Sequence, residues 1–427
     1  MKVLIITYYW APAGGSGVQR WLKFVKYLRD FGIEPVVYTV INPNYPIIDT
    51  SLEKEIPDGI DIIKNPIWEP NDLLSIFKKK GTKTSAGFLN PNPSFLGKVL
   101  QYIRANYFIP DARKFWIKPS VQNIKKYLAT NKIDLIITTG PPHSLHLIGL
   151  QLKKELNIKW IADFRDPWTD IDYFHQLPLT EKSKEKHKNL EQQVLKSADI
   201  SLVVGKTMKA NYDLFSKNIK VITNGYDTKE NNNLIEVVLD EKFSITHIGL
   251  MNADRNPKIL WEVLSELSKE IIDFSKNLQI KLIGSIADEI ALDLQQRKFK
   301  NITKVSYIPH SEVQSYQQKS QVLLLAVNKV PSAKGIITGK IFEYLQAKRP
   351  ILAIGPEDGD LAEIIKKTNS GTIVDFDNKT KLKQVVLSLY QQYKKKSLFV
   401  NSTDTKQYHR KELTNQLANI IKETINF

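Results

Sequence analysis

Short, β-rich apolar runs alternate with helical patterns along the chain, and this alternation limits the possible folds more than any other feature. The first run, Lys2 to Thr7, shows little change between polar and apolar residues, as expected of a strand covered on both faces in a parallel sheet. From Val18 to Leu28 the apolar residues have the spacing of a helix that packs on such a sheet. Repetition of these two patterns predicts an α/β fold with parallel sheets. The other runs expected to form strands are 36–41, 60–64, 134–138, 159–162, 199–204, 220–223, 243–248, 279–283, 303–308, 321–327, 350–354 and 372–375.

The length of the chain predicts more than one domain. Its 427 residues exceed the usual size of a single hydrophobic core, so two domains of roughly 200 residues each are expected. The turn-forming sequence from Asn224 to Asp227, followed by a polar stretch, indicates the boundary. We therefore predict a first domain over residues 1–225, a second over 226–405, and a closing helical segment over 406–427.

The charge of the chain favours acidic partners. Lys and Arg number 61 against 45 Asp and Glu, a net charge of +16, which suits nucleic acid, an anionic lipid surface or phosphorylated small molecules. No apolar run approaches the ~18 residues that span a bilayer, and the first residues carry no convincing signal-cleavage site. We expect a cytoplasmic protein. The absence of Cys excludes disulfides, thiolate catalysis and Cys-bound metals.

The segment 68–119 differs from the rest of the first domain, because basic residues are interleaved with Phe, Tyr, Trp and Leu. This mixture is typical of a surface that binds anionic lipid headgroups, and we favour that interpretation. Two alternatives stay open at this stage. The aromatic residues can stack on nucleic-acid bases, or the segment is a helical insertion that packs partly on the domain and leaves a basic face in solvent.

A candidate phosphate site lies where Thr338 and Gly339 precede a helical pattern. The exposed N–H groups and the dipole at a helix start favour an anion, and Lys340 adds a positive charge there. Glu343 follows about one helical turn later, where a carboxylate can accept hydrogen bonds from ribose hydroxyls. Asp360 opens another helix, so two helix starts are predicted to face one ligand. The alternative is an ordinary strand-and-helix segment with a surface Lys and Glu.

The first domain has a glycine-rich loop, Gly14-Gly15-Ser16-Gly17, between its first strand and first helix. Glycine lets the backbone approach a ligand closely, although a structural turn explains the pattern equally well. The glycine spacing is not that of the dinucleotide fingerprint.

Charged residues gather after the run 159–162, at the edge of a parallel sheet where ligands bind. Asp163 and Asp166 are candidates to orient or deprotonate an acceptor hydroxyl, and Arg165 to hold phosphate or hydroxyl groups. His143, at the start of a predicted helix, is a further candidate for contact with the substrate. The alternatives are an Asp–Arg pair that closes the loop and a His that serves packing.

The segment TGKIFEYLQAKRPILA, residues 338–353, resembles the nucleotide-sugar site of the GT-B glycosyltransferases, especially glycosyltransferase family 4. Glu343 matches the second of the two Glu residues of the family signature, and Gly335 stands at the position of the first. The sequence ITNGYD, residues 222–227, is similar to the family's interdomain linker.

The resemblance implies the roles of further residues. The loop that begins at Gly249 is similar to the family's diphosphate loop, but Leu250 occupies the place of an Arg, so Arg255 is left as its cation. Arg165 stands near the place of a His that contacts the donor sugar in many family members. The residues thus expected to bind the donor are Gly14, Gly15, Gly17, Arg255, Tyr307, Ile308, Thr338, Gly339, Lys340, Glu343 and Asp360. The residues expected to take part in catalysis are Asp166, Arg165, Asp163 and His143.

The resemblance also implies an architecture and a reaction. Two Rossmann-like domains are expected to face each other across a cleft, with the last helix crossing back to the first domain. The first domain would bind a lipid-linked or oligosaccharide acceptor at the inner membrane face, and the second a nucleotide-sugar donor. The transfer would be retaining and would need neither metal nor cofactor. Two rivals stay open: a nucleotide-sugar 2-epimerase of the same fold, and a non-enzymatic basic protein that binds membrane or nucleic acid.

Overall fold

The computed structural model describes residues 1–41, 43–69, 94–172, 174–227, 237–306 and 308–426. They form two compact units, of which one contains residues 1–224 together with the last helix, and the other contains residues 225–409. Both units are built on parallel sheets with helices on their faces, so the α/β prediction is confirmed.

The first unit contains a parallel sheet of seven strands in the order β3-β2-β1-β4-β5-β6-β7. The strand order reverses between β1 and β4, which pair side by side with Val3 opposite Leu135. The strands are β1 (Lys2–Ile6), β2 (Glu34–Ile41), β3 (Asp61–Pro66), β4 (Leu135–Gly140), β5 (Trp160–Phe164), β6 (Ile200–Val203) and β7 (Ile219–Val221). The helices are α1 (Ser16–Leu28), α2 (Phe95–Tyr107), α3 (Ile117–Leu128), α4 (Ser144–Leu156), α5 (Glu181–Ser197) and α6 (Lys206–Tyr212).

Burial explains why the central strands have mostly apolar sequences. Every residue of β4 and β5 is buried, because helices cover both faces of the sheet. Helix α1 packs on one face through an apolar stripe that includes Trp21, Phe24 and Val25, all of which are fully buried. The polar residues that follow β1, β4 and β5 are thereby brought to the carboxyl edge of one sheet.

The second unit has six parallel strands in the order β10-β9-β8-β11-β12-β13, and its strand order reverses between β8 and β11. The strands are β8 (Phe243–Ile248), β9 (Leu278–Ile283), β10 (Ile302–Val305), β11 (Val322–Ala326), β12 (Ile351–Ile354) and β13 (Gly371–Val374). The helices are α7 (Lys258–Glu270), α8 (Ile272–Asn277), α9 (Asp288–Gln296), α10 (His310–Lys319), α11 (Lys340–Ala347), α12 (Asp360–Lys367) and α13 (Lys379–Lys394).

The closing segment of the chain is not one continuous helix. A 3₁₀ turn, Thr405–Tyr408, is followed by helix α14 (Arg410–Asn426). His409 separates them because its backbone is extended and forms a parallel bridge with Tyr226 of the second unit. Helix α14 belongs to the first unit, where its apolar side packs beside α1 in the same core.

Two local expectations differ from the structure. Asp163 lies inside strand β5 and not in the loop after it. Helices α8 and α9 lie in stretches where the sequence pattern predicts no helix. No helix in the described part of the chain is long and apolar enough to cross a membrane.

Candidate functional site

The loops after β8 and β11 begin where the strand order of the second unit reverses, which is the usual place for a ligand in an open parallel sheet. The first of these loops requires glycine. Gly249 has φ +106°, and a Cβ on Gly284 would lie 2.6 Å from the Gly249 carbonyl oxygen. The backbone after β8 and β9 is therefore packed too closely for larger residues.

Lys340, the first residue of α11, extends its side chain across this glycine. Its Nζ donates a hydrogen bond of 3.2 Å to the carbonyl oxygen of Leu250. A Cβ on Gly249 would lie only 2.7 Å from Lys340 Cε. The ammonium thus reaches Leu250, which occupies the place of the expected Arg. Lys340 itself is 90 residues further along the chain.

His247, which sequence reasoning missed, lies beside this ammonium. Its Nδ1 is 3.2 Å from the Leu324 carbonyl oxygen, which can only accept, so Nδ1 carries the proton. The lone pair of Nε2 then faces Lys340 Nζ at 3.5 Å. Burial, followed by the charge of Lys340, lowers the pKa of His247 to about 3. The imidazole is therefore neutral and acts as an acceptor for the lysine.

A second cation belongs to the same region. Arg255 Nε donates a hydrogen bond of 2.6 Å to Asn328 Oδ1, so the loop after β8 is tied to the loop after β11. Burial and the nearby charge of Arg255 lower the pKa of Lys340 to about 8, and Glu343 opposes this change. Two like charges that raise each other's free energy are stabilised when an anion binds between or beside them.

Glu343 lies one turn further along α11 and is exposed. Its Oε2 accepts a hydrogen bond of 3.1 Å from Gln317 Nε2. The neighbouring Tyr344 is buried, and its hydroxyl donates to the Leu324 carbonyl oxygen at 3.2 Å. This anchors α11 to β11 and leaves the carboxylate of Glu343 at the surface, within electrostatic range of Lys340.

The start of α11 is open to solvent at one position. Gly339 is exposed and has open space where a Cβ would be, whereas Thr338 is partly buried and its carbonyl accepts a hydrogen bond of 3.1 Å from the Ile341 N–H. Ile308 is partly buried two residues before α10. Tyr307 lies outside the described residues.

The start of α12 is covered by its own unit. Asp360 is buried, and a Cβ on Gly359 would lie 2.8 Å from the Lys334 carbonyl oxygen. Lys334 also pairs with Asp358 at 2.6 Å. Gly335 belongs to the same short turn, so this turn lies against the first residues of α12.

In the first unit, Asp163 forms the centre of a buried polar cluster. Its carboxylate receives Arg20 Nε at 3.2 Å and Arg20 NH2 at 2.9 Å, Trp21 Nε1 at 2.7 Å and Thr139 Oγ1 at 3.0 Å. Asp163 is 0% exposed and Arg20 is 1% exposed. The carboxylate is enclosed and joins α1, β4 and β5. Sequence reasoning missed Arg20, whose only signal was a charged residue between apolar positions of a helix.

Arg165 holds two loops together. Its guanidinium donates to the backbone carbonyls of Gly17 and Pro141, at the start of α1 and after β4. The side chain is 8% exposed and lies 5.9 Å from the centre of the Tyr9 ring. Burial lowers its pKa below the ordinary value. Arg165 therefore fixes the loops at the point where the strand order reverses.

The glycine-rich loop is shaped by contacts within the first unit. A Cβ on Gly14 would lie 2.6 Å from Ile47 Cγ2, and one on Gly17 would lie 3.0 Å from an Arg165 guanidinium nitrogen. Gly15 is exposed and has φ +86°. Close packing and backbone conformation thus account for glycine at all three positions.

His143 follows strand β4 and Asp166 follows strand β5 of the same sheet. The His143 ring stacks on Trp168 with 4.8 Å between ring centres, and burial lowers its pKa well below the ordinary value. Its Nδ1 and the Nε2 of buried His146 have no hydrogen-bond partner among the described residues, and both lie within 3 Å of a Cβ built on Gly140. Asp166, by contrast, is exposed. Since Asp163 is fully buried, only Asp166 of these two Asp residues can contact a ligand from solvent.

Within the described ranges, no three His, Cys, Asp or Glu residues are grouped so that they could hold a metal ion.

No family model and no curated protein matches the chain by sequence. The fold is similar to that of sucrose-phosphate synthase from Thermosynechococcus elongatus, with 14% identity, a TM-score of 0.62, and coverage of 100% of this chain and 99% of that one. It is also similar to WaaG, a glycosyltransferase involved in lipopolysaccharide biosynthesis, with 13% identity, a TM-score of 0.56, and coverage of 98% and 99%. A third similar structure is a putative UDP-N-acetylglucosamine 2-epimerase from Listeria monocytogenes, with 12% identity, a TM-score of 0.55, and coverage of 100% and 96%. Over its whole length, the chain therefore has the GT-B fold.

Proposed function

We propose that the protein is a glycosyltransferase that moves a sugar from a nucleoside diphosphate sugar to a hydroxyl group. The observation that carries this proposal is the pair of cations, Lys340 and Arg255, at the place where the strand order of the second unit reverses. Lys340 supplies the charge that Leu250 cannot, and its ammonium is held by the Leu250 carbonyl and by His247. Such a site suits the two phosphates of a sugar nucleotide.

The reaction forms a bond between the acceptor oxygen and the anomeric carbon, and it breaks the bond between that carbon and the β-phosphate oxygen. The electron pair of the broken bond goes to the leaving nucleoside diphosphate, where Lys340, Arg255 and the start of α11 stabilise the increasing negative charge. Glu343 would accept hydrogen bonds from the ribose hydroxyls. The acceptor proton leaves to a base or to the departing phosphate. We propose a retaining outcome, without a metal or other cofactor.

The first unit would bind the acceptor. Asp166 is an exposed carboxylate two residues after β5, and we assign to it the orientation or deprotonation of the acceptor hydroxyl. Arg165 and Asp163 act through their neighbours as positioning residues, because both are buried in contacts that join the surrounding strands and loops. The neutral His143 would line the same region.

The resemblance to enzymes of surface-glycan assembly favours a lipid-linked acceptor and a protein attached to the cytoplasmic side of a membrane. The donor would be a UDP- or GDP-sugar. We expect no nucleic-acid partner.

Calorimetry with UDP, GDP and ADP tests the donor site. Wild-type protein should bind one of the diphosphates, and Lys340→Ala should weaken that affinity about tenfold or more, since a hydrogen bond to a charged group contributes roughly 1.5–3 kcal/mol. Lys258→Ala is a matched control, because this exposed lysine of the same unit pairs with Glu289. Binding of no diphosphate, together with tight salt-sensitive binding of RNA or DNA, would overturn the proposal.

A nucleotide-sugar 2-epimerase is the second candidate, and the similarity to the Listeria structure favours it. The two activities differ in their need for an acceptor. Incubating the protein with UDP-N-acetylglucosamine alone and analysing the sugar by NMR separates them, because only an epimerase produces a 2-epimer without an acceptor.

A further inference from the structure

Helix α2 of the first unit presents a broad apolar face to solvent. Phe95 is 84% exposed, Leu96 is 67% exposed and Tyr107 is 66% exposed, and α2 has no buried residue. Four more large apolar residues of the helix are exposed by 39% or more: Val99, Leu100, Tyr102 and Ile103. A helix that supports its own unit buries its apolar stripe, whereas the described residues of the first unit leave this face exposed.

The charges of α2 are placed around this face. At about 100° per residue, the seven apolar side chains fall within a stripe of roughly 160°. Lys98 and Arg104 lie beyond its two opposite borders, and both are exposed. An apolar stripe flanked by basic residues is the pattern of a helix that lies in the interface of a bilayer.

The surroundings of α2 continue the same chemistry. Phe115 contacts Trp68, which is 49% exposed, with their ring centres 4.8 Å apart, and Lys114 Nζ lies 5.2 Å from the Phe115 ring centre. Residues 94–119 contain five basic side chains, of which Arg113 is paired with the buried Glu69, and a single acidic one, Asp111. Asp111 accepts hydrogen bonds of 2.9 Å and 2.7 Å from Ser144, so its charge is turned inward. The surface is therefore complementary to anions.

The far end of α2 is fixed to the first unit. Asn106 Nδ2 donates to the Pro178 carbonyl oxygen at 2.8 Å, and Asn106 Oδ1 accepts from the Thr180 N–H at 2.8 Å. Lys114 Nζ donates to the carbonyl oxygen of Tyr107, the last residue of the helix, at 2.6 Å. The helix is thus held in place, and no part of the chain that the structure describes covers its apolar face.

We propose that α2 docks the first unit on a bilayer that contains anionic lipids. Its 13 residues give a length of about 20 Å, too short for a hydrocarbon core of about 30 Å, so the helix lies in the interface. The apolar stripe enters the acyl boundary, and Lys98 and Arg104 reach the headgroups. The inference rests on the proposed function in that a lipid-linked acceptor gives the docking its purpose. The basic run at 78–83, which the sequence assigned to the same patch, lies outside the described residues.

Sedimentation with lipid vesicles tests the docking. The full-length protein should bind vesicles of phosphatidylcholine with about 30% phosphatidylglycerol more tightly than pure phosphatidylcholine, and added salt should reduce this preference. Leu96→Glu with Leu100→Glu should lower the partition at least about tenfold, since two apolar side chains of the stripe are replaced by carboxylates. Lys98→Glu with Arg104→Glu should remove the preference for the anionic vesicles.

Ile272→Glu with Leu292→Glu is the matched control, because these residues of the second unit are 72% and 56% exposed and should leave the partition unchanged. Equal binding by the wild type and the Leu96/Leu100 variant, or no binding by the wild type, would overturn the docking. A different outcome would also overturn it: the wild type binds no vesicles and forms a dimer in solution, and the α2 variants abolish that dimer. A second copy of the chain would then cover the face. Calorimetry with UDP on the same proteins measures nucleotide binding independently. A loss of vesicle binding is therefore distinguishable from a loss of nucleotide binding.

Discussion

Raising the pH from 7 to 9 should weaken the binding of UDP to this protein, because Lys340 loses its proton in that interval. The pKa of Lys340 is lowered to about 8 by burial and by Arg255, whereas the ordinary value for lysine is 10.5. A bound diphosphate favours the charged lysine and raises its pKa again. Affinity is therefore greatest below pH 8 and falls as the pH rises through that value.

The size of the effect follows from the protonated fraction. With a pKa of about 8, roughly nine-tenths of Lys340 is charged at pH 7 and roughly one-tenth at pH 9, so the affinity should fall about tenfold. A charged hydrogen bond contributes about 1.5–3 kcal/mol, which permits a change of this size. Phosphate itself, with its second pKa near 6, stays ionised across the range and contributes little to the difference.

Calorimetric titration with UDP at several pH values provides the measurement. At pH 8.5 the wild type should also take up protons when UDP binds, which buffers of different ionisation enthalpy reveal. Lys340→Arg is the decisive control, because a guanidinium stays charged and should remove both the proton uptake and most of the pH dependence. A wild-type affinity that is constant from pH 7 to 9, or an arginine variant with the same pH profile, would refute the assignment of Lys340 to the diphosphate.

Three further predictions concern other parts of the two units. Asp163→Asn should destabilise the first unit by about 3–5 kcal/mol, because it leaves the buried Arg20 without its counter-charge; urea unfolding followed by fluorescence measures this, and an unchanged midpoint would contradict it. Asp166→Ala should lower the turnover of sugar transfer about 10²–10⁴-fold and leave the dissociation constant for UDP unchanged, and a parallel loss of UDP affinity would argue against an acceptor role. Gly249→Ala should cost about 1–3 kcal/mol through its positive φ and weaken UDP binding by displacing Lys340, which unfolding and calorimetry test together.

The parallel sheets could be predicted from the sequence because each strand carries its own signal. The apolar run 243–248 matches β8 (Phe243–Ile248) at both ends. Apolar runs and helical spacing are local properties of the sequence. Burial on both faces of a sheet requires almost continuous apolar runs, which makes the strands easy to identify. The positions of the carboxyl-edge loops follow from those strands.

The pairing of charged residues could not be predicted in this way. Asp163 follows an apolar run and was expected in a loop that faces the substrate, yet it ends inside β5 with Arg20, which is 143 residues away in the chain. A carboxylate and a guanidinium can both be buried only when each neutralises the other, and sequence spacing does not reveal which distant residue does so. Arg165 shows the same limit, since its partners are backbone carbonyls that any residue supplies.

The proposed donor site shows why a missing signature residue is weak grounds for rejecting a function. Electrostatic stabilisation of a phosphate depends on where the charged atom lies, and not on which element carries it. Leu250 stands where an Arg is expected in the loop after β8, but Lys340 places its ammonium 3.2 Å from the carbonyl of that same residue. The arrangement works only because Gly249 has no side chain and because neutral His247 accepts from the lysine without competing for charge. A search for this site in other sequences should therefore look for the Gly, the His two residues before it and the Lys at the helix start as a set, since each of the three accounts for the others.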